Sequence, residues 1–301
     1  MDLFDLHQHV EWNARLDARA SRESVDWPER RAGLERLADG GLARLQYLFS
    51  VPAHDLEMTS VLFEDVVSDA LREAAEAGAK FTQLRLPMDS VALGSFMEHF
   101  KLAVKQVQRD HPGFDAQAIL SLNMWDPVTE EMAEVLPDAA AEGLAGIELL
   151  YVPYAAEADW SLGRLLARSA ARSGLDVSVP VGAYSTANVE SVLAIEGVNR
   201  VAHAVHAAYD DVLLQRIREQ SIVIEVCLTA SLLLGMVPSL DEHPLRRMLD
   251  AGCDVVLGTD SPLRLGTTIA REYELARRAG LSEAELTSLS QRSSSLMSIA
   301  I

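Results

Sequence analysis

An alternation constrains this chain more than any other feature: short apolar, β-prone runs recur along it, separated by longer stretches with helical spacing. Nine runs read as strands. They are Leu3–His9, Leu45–Ser50, Phe81–Pro87, Ala116–Asn123, Ala145–Val152, Val177–Gly182, Arg200–His206, Ile222–Leu228 and Val255–Asp260. Leu45–Ser50 is the weakest, because helical stretches at 28–39 and 63–77 flank it with little turn chemistry. Among the helices, Asp65–Ala77 repeats Val66, Val67, Ala70, Leu71 and Ala74 at helical spacing, and Pro244–Ala251 reads PLRRMLDA. Several strands are apolar almost throughout, as in IVIEVC from Ile222 to Cys227, which fits a parallel sheet buried on both faces. Alternating β and α over about eight units closes a (β/α)₈ barrel rather than an open sheet. The 301 residues are the usual size for such a barrel, and 49% apolar composition supplies its core. With no internal repeat, low-complexity segment or Pro/Gly linker, one barrel domain with extra helices is expected over residues 1–301. The stretch from Trp12 to Asp39 reads as polar surface helices, one starting at Trp27-Pro28, and a lid over the mouth formed by residues 10–40 is the alternative.

Charge and cysteines narrow the function classes. The formal charge of −19 argues against nucleic acid, which needs Lys and Arg clusters, and against an anionic membrane surface. Two cysteines, Cys227 and Cys253, both in apolar runs, cannot form a disulfide framework. No run approaches ~18 apolar residues, and the opening MDLFDLHQHV lacks the basic and apolar regions of a signal peptide. A cytoplasmic protein acting on a small-molecule substrate is expected, and a homo-oligomer is left open.

In a (β/α)₈ barrel the chemistry sits at the C-terminal strand ends. The first strand ends in Asp5-Leu6-His7-Gln8-His9. His7 and His9, two apart, face one side and offer donors suited to zinc, iron or nickel; two ordinary turn histidines are the plainer alternative. His203 and His206 end the sixth barrel strand, where a histidine can ligate, move protons or simply pack. Asp260 directly follows the last strand in Gly258-Thr259-Asp260-Ser261-Pro262, placed to ligate a metal, hold a water or cap the next helix. Converging on one mouth, His7, His9, His203 and Asp260 suggest metal-assisted hydrolysis.

In this order the motifs resemble the adenosine/AMP deaminase family of the amidohydrolase superfamily. His7-Gln8-His9 stands where that family has its HxH metal pair. Phe63–Ala77 followed by FTQLRLP at Phe81–Pro87 resembles its helix and Arg-bearing strand, making Arg85 a candidate substrate contact. RVAHAVH at Arg200–His206 resembles its RIGHG segment, and IEVC at Ile224–Cys227 with Ser231 and Gly235 its seventh strand. GTDSPL at Gly258–Leu263 resembles its NTDDP ending, and Leu281–Ser298 its last helices. The resemblance implies one divalent ion, zinc first among candidates, with His7, His9 and Asp260 as ligands. It implies that Asp260 also orients the water and that His203 takes the water's proton.

The chain also departs from the family. Where the family has a His-Ala-Gly-Glu signature on its fifth strand, this chain has Val179-Pro180-Val181-Gly182-Ala183-Tyr184. Pro180 stands at the ligand position and Ala183 at that of the glutamate which protonates the base. Ser261 replaces an Asp that holds the purine, Tyr151 a Gly that lies under it, and Glu11 an Asp that binds the ribose. A general acid contributes typically ~10²–10⁴-fold, so adenosine deamination by the usual route is not expected. The first expectation is a diverged metal-dependent hydrolase acting on another small polar substrate, nucleoside-like or an amine or amide. Tyr184 or His206 would then be the replacement acid. Two alternatives stand beside it: a catalytically inactive barrel with a binding or regulatory role, and a metal-free enzyme using His203 and Asp260.

Overall fold

A computed structural model describes residues 1–20, 25–34, 36–37, 41–50, 57–151 and 156–297. Eight strands form one parallel sheet: β1 (Leu3–His9), β2 (Ala79–Pro87), β3 (Asp115–Asn123), β4 (Gly146–Leu150), β5 (Asp176–Val181), β6 (Arg200–His203), β7 (Val223–Val226) and β8 (Val255–Leu257). They pair in sequence order, and helices fill the connections. The ring is completed by a parallel bridge between Gln8 and Asp260, where the Asp260 amide donates to His7 O at 2.7 Å and the His9 amide to Asp260 O at 2.6 Å. The chain is a (β/α)₈ barrel, as its alternation implies. The run at Val152 expected to extend β4 lies outside the described residues.

One of the nine expected strands is a helix. Leu45–Ser50 falls within the helix Leu42–Phe49 and the residue capping it. The physical reason lies in the spacing. Leu42, Leu45 and Phe49 recur at intervals of three and four, and Leu48 is buried against Ala14, Trp27 and Leu34. A helical stripe over the barrel mouth buries these residues, whereas a strand would place Leu45 and Leu48 on opposite faces.

The two faces of the barrel strands differ in chemistry. Outward residues such as Leu84, Leu86, Leu120, Leu122, Val177, Val179 and Ile224 are apolar and pack under the helices. At alternate positions the interior is polar and hydrogen-bonded. Gln83, Arg85, Ser121, Glu148, Ser178, Arg200 and Glu225 meet across the axis. A barrel centre is ordinarily filled by branched apolar side chains. Burying carboxylates and guanidinium groups there is tolerable only because they are paired.

Candidate active site

The site is built from strand ends. On β1, period-two alternation turns Asp5, His7 and His9 inward. Asp5 is spent on structure: its carboxylate accepts from the Thr259 hydroxyl at 2.6 Å and amide at 3.1 Å, tying β1 to the end of β8. The His7 and His9 rings stand 5.3 Å apart, edge to face. One donor atom from each of His7, His9 and Asp260 lies within 4.8 Å of the others.

Backbone strain marks the same positions. His203, at the end of β6, has φ +67°, and Asp260, after β8, has φ +62°. Ala204 and Glu11 share the left-handed region at +52° and +56°. Each such conformation costs a non-glycine residue ~1–3 kcal/mol and is kept where the surroundings fix it, commonly at functional sites. The His203 ring lies 5.9 Å from the His7 ring, and its Nδ1 has no hydrogen-bond partner among the described residues. Burial pushes its pKa down to about 4, outweighing the upward pull of Asp260. Ser261 Oγ donates to Asp260 Oδ1 at 3.1 Å.

Below these groups lies an ionic layer whose carboxylates, Glu148 and Glu225, sequence patterning did not single out. Glu225 Oε2 accepts from His7 Nδ1 at 2.8 Å, Arg85 Nη2 at 2.6 Å and Ser178 Oγ at 2.9 Å. Burial raises the pKa of this carboxyl, but Arg85, His7 and Arg200 outweigh burial and hold it below the usual range. Glu148 accepts from Arg85 Nε at 2.9 Å and Ser121 Oγ at 2.9 Å. Its two oxygens stand 3.7 Å from His7 Nε2 and 3.7 Å from His9 Nε2. Burial again opposes ionisation, and His9, Arg85 and His7 overcome it, bringing Glu148 down to about 2. A signal for both carboxylates was present in the sequence. In GIELL and IVIEVC a single charge interrupts an apolar strand. In a sheet buried on both faces such a charge must point inward and be paired.

Above the ring opens a cavity of about 530 Å³, within the range of small-molecule sites. His7, His9, His203, Asp260, Glu148 and Arg85 line its floor, and Pro180, Ala183 and Tyr184 one wall. Leu45, Gln46 and Phe49 of the helix taken for a strand also line it. From the 10–40 stretch only Val10, Glu11 and Trp12 do so among the described residues.

Several expected substrate contacts are placed differently. Tyr151 is buried against Trp160, ring centroids 4.7 Å apart, and is not a lining residue, so it does not fill the pocket. His206 is half-buried beside the 3₁₀ turn Ala207–Tyr209 and is likewise off the cavity. Glu11 reaches the cavity, yet its carboxylate accepts from the Leu263 amide at 2.8 Å and the Arg264 amide at 3.0 Å, holding the turn after Asp260. Arg85 lines the floor with Nε, Nη1 and Nη2 committed to Glu148, Leu6 O and Glu225, so it fixes the carboxylates rather than a ligand.

The donor set fits a divalent ion. Glu225 engages His7 Nδ1 and leaves Nε2 as the ring nitrogen available to an ion, as an outer carboxylate does for a metal-bound histidine. Two imidazoles and a carboxylate suit zinc or iron.

Residues 38–299 match the family model described as "Adenosine deaminase". A putative adenosine/adenine deaminase of Streptomyces coelicolor is 37% identical over 126 residues, 41% of this chain and 37% of that relative. An adenine deaminase of Rhizobium leguminosarum is 35% identical over 136 residues, 44% of this chain and 41% of the relative. The matched stretch thus spans under half the length of these curated relatives. Among solved structures, an Arabidopsis N6-mAMP deaminase superposes with TM-score 0.77 at 19% identity, covering 100% of this chain and 97% of the other. An amidohydrolase of Burkholderia ambifaria with bound zinc gives 0.72 at 20% identity, covering 97% and 84%. At these identities the superpositions bear on the fold alone.

Proposed function

The chain belongs to the adenosine deaminase family, and from that premise we propose that it is a metal-dependent hydrolase of a small polar substrate other than adenosine. The observation carrying this reading is the convergence of His7, His9 and Asp260 donor atoms within 4.8 Å on the floor of a cavity that His203 also lines. These three residues would hold a divalent ion, zinc foremost, which two imidazoles and a carboxylate suit. When bound, the ion would supply the Lewis acidity that makes water a nucleophile near neutral pH.

The chain's own groups divide the remaining work. His203, neutral above about pH 4, takes the nucleophile's proton at a ring nitrogen. Asp260, steadied by Ser261, orients the attacking water. Glu225 and Arg85 keep His7 in its productive tautomer. Ala183, which lines the cavity, offers no proton for a purine ring, and Tyr184 beside it is the group placed to take over as acid. The apolar wall at Pro180 and Ala183 also favours a second reading, in which a ligand binds without turnover.

Elemental analysis of protein purified without added metal or chelator tests the proposal. About one equivalent of metal is expected, lost in His7→Ala and in Asp260→Ala, with adenosine turned over poorly or not at all. No metal uptake even after reconstitution would overturn it. Substantial turnover by metal-free His7→Ala would instead support acid–base chemistry by His203 and Asp260 alone.

A further inference from the structure

Glu148 faces two of the metal-donor nitrogens from just beyond hydrogen-bonding distance. Its Oε1 stands 3.7 Å from His7 Nε2 and its Oε2 3.7 Å from His9 Nε2, while His9 Nε2 is 3.9 Å from Asp260 Oδ1. Glu225 engages His7 Nδ1, so Nε2 is the ring nitrogen turned to Glu148. Atoms sharing one cation at ~2.1 Å sit roughly 3–4 Å apart, the separation seen on both sides of Glu148. Arg85 Nε and Ser121 Oγ occupy one lone pair on each Glu148 oxygen and leave others free.

Its place in the sheet is also suggestive. Glu148 pairs in register with Ser178 on β5, two residues before Pro180, so it lies on the strand adjoining the position where no donor remains. It approaches the trio from the side of His7 and His9. We propose that Glu148 is a fourth protein ligand of the divalent ion, supplying from β4 the donor that Pro180 cannot supply from β5. This rests on the metal reading above and adds to it a ligand set of two histidines and two carboxylates.

Zinc affinity, measured by chelator competition, and the visible spectrum of the cobalt(II)-loaded protein test it. Three proteins are compared: the unaltered chain, His9→Ala and Glu148→Gln. The expectation is that Glu148→Gln weakens zinc binding more than about 100-fold, beyond the usual loss for an outer hydrogen-bond partner, and changes the cobalt spectrum. Weaker binding with an unchanged spectrum would mean that Glu148 only positions the histidines, and unchanged affinity would exclude any role; either overturns the proposal while the metal reading stands. Failure of the unaltered chain to take up zinc or cobalt overturns both. Should Glu148→Gln fail to fold, a zinc-soaked crystal of the unaltered chain decides the matter. A carboxylate oxygen of Glu148 within about 2.2 Å of zinc supports the proposal, and one beyond about 3 Å refutes it.

Discussion

Gly258 controls where the first ligand strand can lie. A Cβ added there would sit 2.4 Å from His7 Cβ, 2.8 Å from His7 N and 2.9 Å from His7 Cα. Carbon atoms in ordinary contact are ~3.5–4.0 Å apart, so Gly258→Ala must open more than about 1 Å between β8 and β1. Neither side can yield easily, because the clash is with backbone. β1 is bonded to Asp260 on both sides of Gln8, and the Gly258 amide donates to Val226 O at 3.0 Å. Overpacking of this kind costs typically ~1–3 kcal/mol, which in a domain this large lowers the melting temperature by several degrees. The larger effect falls on the site, since a displacement of ~1 Å can cost ~10²-fold in activity. Urea unfolding and zinc competition should therefore both respond, the affinity loss exceeding what instability alone would produce in protein kept well below its unfolding transition. A variant with unchanged midpoint and unchanged zinc affinity would refute this. The β1–β8 seam would then be soft, and His7 would owe its placement to Glu225 rather than to strand packing.

Three further outcomes follow from the buried charges. Burial pushes His243 from its usual 6.5 down to about 4, so unfolding takes up a proton between those values. Its stabilising contribution is complete above pH 6.5 and fades as pH falls toward 4, amounting to on the order of 3 kcal/mol. His243→Asn, which can still accept from the Leu245 amide, should flatten the fall in urea stability between pH 6.5 and 4.5; an unaltered slope would rule this out. Arg85→Met should destabilise the metal-free protein by ~3–5 kcal/mol, because Glu148 and Glu225 lose their shared cation, and a loss below ~1 kcal/mol in denaturant titration would contradict that. Glu225→Gln should lower zinc affinity ~10–100-fold by loosening the His7 tautomer, and calorimetric titration giving wild-type affinity would refute it.

The sequence carried the fold almost whole, because alternation of apolar strands with amphipathic helices is a periodic signal. It misread Leu45–Ser50, where three apolar residues in a short window satisfy either period and only packing over Ala14, Trp27 and Leu34 decides. The site was legible where chemistry sits at strand ends: His7, His9, His203, Ser261 and Asp260 all line the cavity. It was illegible where a side chain's engagement depends on distant partners. Glu11 and Arg85 occupy the cavity but spend their polar atoms on Leu263, Arg264, Glu148 and Glu225, residues far away in the chain. Tyr151 follows the last residue of β4 and turns toward Trp160, which no local pattern announces.

The pairing of charges inside the barrel bears on whether a metal belongs there at all. Arg85 contacts both Glu148 and Glu225, and Arg200 adds a second contact to Glu225. Asp260 has Ser261 and a distant His9 nitrogen. Buried carboxylates are costly without compensation. A divalent ion between His7, His9 and Asp260 would offset that cost. Pro180 on β5 offers no donor and carries no charge, so it leaves this imbalance in place. On the metal reading proposed above, the need for a cation does not depend on a β5 donor, and Glu148 is the neighbouring side chain that would complete its shell.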